Sequence, residues 1–67
     1  MEEMERKIGQ FIQGYGGEID KTELYKNLGL LFAPKDAHIS LMNLLNEGMI
    51  VSDGIVIRIT ERFKALL

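Results

Sequence analysis

The hydrophobic period of this chain changes at Gly48, and that change limits the folds open to it. Through residues 36–48, DAHISLMNLLNEG, apolar residues recur at helical spacing. After Gly48, Met49-Ile50-Val51 and Ile55-Val56-Ile57-Arg58-Ile59 are short, mostly β-branched runs. At about 100° per residue, Ala37, Leu41, Leu44, Leu45 and Gly48 share one helical face. Lys35, Ile39, Asn43 and Asn46 fall on the opposite one. Asp53-Gly54 separates the two later runs and predicts a type I′ hairpin turn between strands 49–52 and 55–59. A half-apolar helix and a lone ribbon are each marginal in water, so both must pack on further elements.

Upstream segments supply those elements. Over residues 2–13, Met4, Ile8, Phe11 and Ile12 form one helical stripe, which Tyr15 continues just past the end. Glu2, Glu3 and Glu5 occupy the first turn, where the helix dipole favours negative charge, and read as a solvated face. Gly9 lies mid-helix, at a cost of about 1 kcal/mol relative to Ala. Close approach of a neighbouring helix and a tolerated defect both account for it. A second helix over 20–29 opens with Asp20 as N-cap and Glu23 in capping-box position, with Ile19 and Leu24 spaced as a hydrophobic staple. Leu24, Tyr25 and Leu28 make its predicted buried face, and Gly29 stops it. In the connection that follows, Leu31 and Phe32 are expected in the core, and His38 as a half-buried packing residue. On the return strand Ile55, Ile57 and Ile59 share one face, with Val56 and Arg58 on the other. Thr60 caps a last short helix over 61–67 that contributes Phe63, Leu66 and Leu67.

Sixty-seven residues allow a single domain, 1–67, whose core alone gives marginal stability. No cysteine is present, and the one histidine, His38, forms no ligand cluster, so neither metal nor cofactor is expected. No apolar run nears the roughly 20 residues that span a bilayer, and no secretory leader is recognisable. A soluble cytoplasmic domain with no membrane partner is the expectation. The net charge of −2 has the wrong sign for attracting phosphate through the overall field, which leaves only a local patch for that task. No activated nucleophile, paired carboxylate cleft or phosphate loop stands out, so an enzyme is not expected.

The order is helix, helix, helix, strand, strand, short helix: a mainly α fold with a small β-hairpin (α+β). Ile8-Gly9-Gln10-Phe11-Ile12, Glu23 to Leu30, Leu41 to Leu44 with Glu47-Gly48-Met49-Ile50, and Ile59-Thr60-Glu61-Arg62 resemble the winged helix-turn-helix superfamily across nearly the whole chain. The resemblance implies a recognition helix over 34–47 in the DNA major groove and a wing, tip at 52–55, against the backbone. Lys35, His38, Ile39 and Asn43, with Met42 beside them, would face the groove, Asn43 suited to adenine. Lys21 and Thr22, at a helix N-terminus, and Arg58 would meet phosphates. The implied function is a small transcriptional regulator that binds double-stranded DNA.

Other residues point to a second class. Asp53 stands at the wing tip, and Asp36 and Glu47 flank a recognition face with one lysine and no arginine. Ile39 and Met42 project outward where DNA readers carry polar groups. A winged helix that binds protein would use those two as anchors, with Asn43 and Asn46 as hydrogen-bonding rim. Homodimerisation through the first or last helix is compatible with either class.

Overall fold

The structure, a computed structural model, describes residues 2–67. Helix α1 is Glu3–Gly14, strand β1 Glu18–Asp20, helix α2 Lys21–Leu28 and helix α3 Pro34–Asn46. Strands β2, Ile50–Asp53, and β3, Val56–Ile59, precede the one-turn helix α4, Glu61–Lys64. The α+β composition agrees with the sequence, and the three long helices lie where the apolar periods put them. None of the described helices is long and apolar enough to cross a membrane.

The sheet is larger than the expected ribbon. Its order is β1-β3-β2, antiparallel throughout, with Ile19 opposite Ile57 and Ile50 opposite Ile59. These four isoleucines are buried and form the sheet's contribution to the core. β1 escapes sequence reading because its three residues, Glu18-Ile19-Asp20, carry no alternation long enough to register. Pairing extends past its ends: the Ile59 N–H donates to the Gly17 carbonyl at 2.8 Å, and the Lys21 N–H to the Ile55 carbonyl at 2.6 Å. β3 is therefore bonded on both edges, which removes the instability of an isolated hairpin.

The hairpin turn corrects the sequence expectation by one step. Asp53 pairs with Val56, so the two loop residues are Gly54 and Ile55 rather than Asp53 and Gly54. Gly54 has φ +63°, and no residue other than glycine has positive φ among those described. That excludes type I′, which needs positive φ at both loop positions, and fits the II′ pattern with glycine first. Ser52 now faces Ile57 instead of Ile55. Because the partner moves by two residues, every side chain keeps its face. Ile57 and Ile59 still enter the core, while Ile55 sits in the turn and is 70% exposed.

Around this sheet the helices bury Ile8, Ile12, Leu24, Leu28, Ala37, Leu41, Leu44 and Phe63, with Met4, Phe11, Phe32, Leu45 and Leu67 packed at the margin. Asp20 caps α2 through Oδ1, which accepts from the Thr22 N–H at 2.8 Å and the Glu23 N–H at 3.4 Å. The return arm of a capping box is not made: Glu23 Oε1 accepts instead from Asn27 Nδ2 at 3.2 Å. Thr60 Oγ1 donates to the Gly48 carbonyl at 2.8 Å and accepts from the Phe63 N–H at 3.3 Å, tying α4 to the end of α3. Phe63 then lies on α1 at Gly9. A Cβ built there meets Phe63 Cζ, with Cε1 and Cε2 each at 2.8 Å. Gly9 is thus a close-approach site, and the tolerated-defect explanation falls away.

Several side chains depart from their expected burial. Tyr15 and Tyr25 are exposed, as are Leu31 and Leu66. Helix α4 ends at Lys64, three residues early, so Leu66 has no helical face to hold it inward. Phe32, expected in the core, is half-buried against its margin, and Leu31, on the same short link, is 66% exposed. Gly48 is exposed with φ +73°, where it turns the chain from α3 into β2 rather than packing.

Candidate functional site

Helix α3 buries Ala37, Ser40, Leu41 and Leu44, packs Leu45 at the core margin and turns the rest of its circumference outward. Pro34 at its first position needs no hydrogen-bond acceptor, so the helix starts cleanly at the surface. The outward ridge is Lys35, Ile39, Met42 and Asn46, all exposed, with Ile39 at 48% and Met42 at 43%. His38 lies on the flank toward α2, also exposed rather than half-buried. Tyr25 Oη is 3.3 Å from His38 Nδ1, which accounts for Tyr25 leaving the core. Leu30 and Leu31, 81% and 66% exposed, follow α2 on the link to α3.

The opposite flank meets the start of α1. Glu2, Met4, Asp36, Ile39, Ser40 and Asn43 line an open trough of about 170 Å³ there. The Ser40 hydroxyl donates to Met4 Sδ at 3.2 Å and closes the floor. Next to it Glu5, read from sequence as part of a solvated face, is buried at 7% exposure. Burial, then the carboxylates of Glu47 and Glu2, push its pKa above the ordinary 4.5, and the Asn43 side-chain amide offsets part of that rise. Asn43, expected to read adenine, sits beside a carboxylate of its own chain.

An acid whose pKa is raised on folding adds stability that is fully present below its unfolded value. That contribution is lost as pH climbs through the folded value. Glu5→Gln should therefore be more stable than the natural chain at pH 7, and the difference should shrink as pH falls through the raised folded value and be gone below 4.5. Denaturation midpoints of both proteins across that range measure it. A variant less stable at every pH would contradict the assignment.

The residues expected to meet phosphate are already engaged. Lys21 is half-buried and its N–H is bonded to Ile55. The Thr22 and Glu23 N–H groups are taken by the Asp20 carboxylate, so the start of α2 presents negative charge. Arg58 lies on the outer sheet face between Glu18, 3.6 Å from its Nε, and Asp53, 3.8 Å from its Nη2. The structure thus gathers Lys35, His38, Ile39 and Asn43 on one helix and leaves Lys21, Thr22 and Arg58 satisfied elsewhere. Sequence reasoning missed Glu5, Tyr25, Leu30 and Leu31. For the leucines the signal was present: both follow the Gly29 stop on a short link, where little depth is available.

Comparison with family models, with curated proteins and with solved structures returned no match to this chain.

Proposed function

We propose that this chain is a winged-helix domain that binds another protein through the outward face of α3. The support for the winged-helix assignment is the order of three helices followed by a hairpin stacked on a shared core. One observation carries the choice of ligand. The ridge of α3 exposes Ile39 and Met42, and the side chains lining its α1 flank include four carboxylates, Glu2, Glu5, Asp36 and Glu47, and no lysine or arginine. Phosphate is repelled by such a frame, whereas an apolar ridge with a charged rim is how protein interfaces are built. Leu30 and Leu31 extend the apolar area on the side toward α2.

Ile39 is the proposed anchor, with Met42 one turn further along. Selection of peptides from a random display library on the natural chain, followed by affinity measurement, tests this. Ile39→Asp should weaken the selected peptides about ten-fold or more, in line with loss of a central apolar contact. The same variant should keep its unfolding midpoint, because Ile39 is half exposed. Peptides indifferent to Ile39→Asp would overturn the proposal. Duplex DNA is the competing ligand, favoured by Lys35, which heads α3 with no ion pair among the described residues.

A further inference from the structure

The outward ridge of α3 repeats at a spacing that a lone helix does not need. Lys35, Ile39, Met42 and Asn46 are separated by four, three and four residues, the alternation of a seam along which two helices pack. All four are exposed and lie opposite the buried Ala37, Leu41 and Leu44. On that spacing Ile39 and Asn46 take the a positions of a heptad, and Lys35 and Met42 the d positions. A β-branched residue at a favours two strands, and a single asparagine at a fixes register at some cost in stability. The seam spans less than two heptads, so it suits a joint between folded domains rather than a coiled coil standing alone.

The two flanks of the ridge differ in charge. Toward α1, Glu2 and Asp36 line the trough beside Ile39, which has no lysine or arginine in its walls. Toward α2 stand His38, 3.3 Å from Tyr25 Oη, and the exposed Lys26, while Lys35 heads the ridge. Neither lysine has an ion pair among the described residues. Glu23, the one carboxylate within α2, lies on the far side of that helix from Tyr25 and accepts from Asn27. Two copies laid ridge on ridge close about a two-fold axis in two ways. With the axis along α3, the helices run parallel and the acidic flank of each copy falls on the lysine-bearing flank of the other. With the axis across α3, acid falls on acid and lysine on lysine. Charge therefore selects the parallel pair.

We infer that the partner of the α3 face is a second copy of this chain, bound by parallel pairing of the two α3 helices about a two-fold axis. This rests on the protein-binding proposal above and names the occupant of that face. Ile39 packs on the partner's Ile39, and Met42 on the partner's Met42. A standard interface hides about 800 Å² per copy, about a fifth of the 4151 Å² this chain exposes. Four ridge residues fall short of that, and Leu30 and Leu31 on the α2 side supply further apolar area.

Sedimentation equilibrium of the full chain between about 10 µM and about 1 mM tests this. The expected result is a reversible monomer–dimer equilibrium with a dissociation constant on the order of 0.1 mM, as suits a short seam. Ile39→Asp should weaken it about ten-fold or more and leave the unfolding midpoint unchanged. The direction of pairing is read by cross-linking, since the chain has no cysteine of its own. Asn46→Cys, at one end of the ridge, should oxidise to a covalent dimer, because parallel pairing brings the two Cα atoms within the roughly 7 Å a disulfide allows. Antiparallel pairing holds them more than about 15 Å apart. Lys7→Cys, exposed on α1, should give no covalent dimer under the same conditions. A natural chain still monomeric at about 1 mM, a dimer unmoved by Ile39→Asp, or cross-linking no faster in Asn46→Cys than in Lys7→Cys would overturn the inference. A monomeric chain whose selected peptides still depend on Ile39 keeps the docking proposal and loses only the second copy as its occupant. Peptides and dimer both indifferent to Ile39→Asp remove both.

Discussion

Phe63→Ala should leave the chain without a cooperative fold at 25 °C. The ring is fully buried, and it is the largest of the fully buried side chains. Removing a buried Phe costs about 3–5 kcal/mol in transfer and cavity terms together. At about 0.05–0.15 kcal/mol per residue, a chain of 67 residues holds only about 3–10 kcal/mol in all. The loss is therefore most of the stability available. α4 has four residues and cannot persist alone, and with the ring gone only the half-buried Leu67 and the hydrogen bonds of Thr60 and Leu66 hold it to the rest of the chain. Circular dichroism and amide dispersion should both show a largely unfolded chain. A midpoint lowered by less than about 5 °C, equivalent to about 1 kcal/mol in a domain this small, would show that Phe63 is not the keystone of α1 and α4. Phe63→Leu, which keeps most of the volume, should fold.

Gly9→Ala should also destabilise, against the helix scale. Exchange of a mid-helix glycine for alanine gains about 1 kcal/mol from propensity. Here the new methyl runs into the Phe63 ring, with two ring carbons at 2.8 Å and a third nearer still. The ring is walled in on all sides, so relief requires moving α4 or the α1 backbone. Overpacking of this kind costs about 1–3 kcal/mol, with the upper end apt for contacts so short. The net expectation is a loss of about 2 kcal/mol, or on the order of 10 °C in Tm. Because both effects pass through one contact, Gly9→Ala and Phe63→Leu should be strongly non-additive, the smaller side chain relieving the clash. Full additivity, or a stabilised Gly9→Ala, would mean that the helices are further apart than described.

Much of this architecture is legible in the sequence, and the failures share a cause. α1, α2 and α3 were readable because Ile8-Ile12, Leu24-Leu28 and Leu41-Leu44 repeat at helical spacing, and spacing is a local property. Asp20 as a cap and Thr60 as a cap were readable for the same reason. β1 was not, because Ile19 becomes a strand residue only through Ile57, far along the chain. The hairpin loop was placed one residue early because Asp-Gly and Gly-Ile are both acceptable turns. The choice between them was made by where Ile57 and Ile59 meet Ser52 and Ile50. Burial of Glu5 was invisible locally: its acidic neighbours in sequence mark a surface, while Glu47 and Leu66, which border it, come from the other end of the chain. The outward ridge of α3 was legible down to Lys35 and Ile39. What the sequence hid was the state of the cations around it, since the pairing of Arg58 with Glu18 requires the third strand.

That pairing decides how the α3 face is understood. A recognition helix that reads DNA needs phosphate contacts on both sides, and these dominate affinity and make it salt-dependent. In this chain Arg58 faces two carboxylates, the start of α2 is capped by Asp20, and the α1 flank of α3 is acidic. An exposed Ile39 and Met42 between such neighbours suit a protein surface.

The most direct measurement is a titration of short duplex DNA into isotope-labelled protein at low and at moderate salt, followed by amide shifts. The account predicts no saturable, salt-sensitive shifts at Lys21, Lys35 to Asn43 or Arg58 below about 0.1 mM DNA, the weak end of non-specific binding. Saturable shifts at those residues that fade as salt is raised would contradict it and return α3 to the major groove.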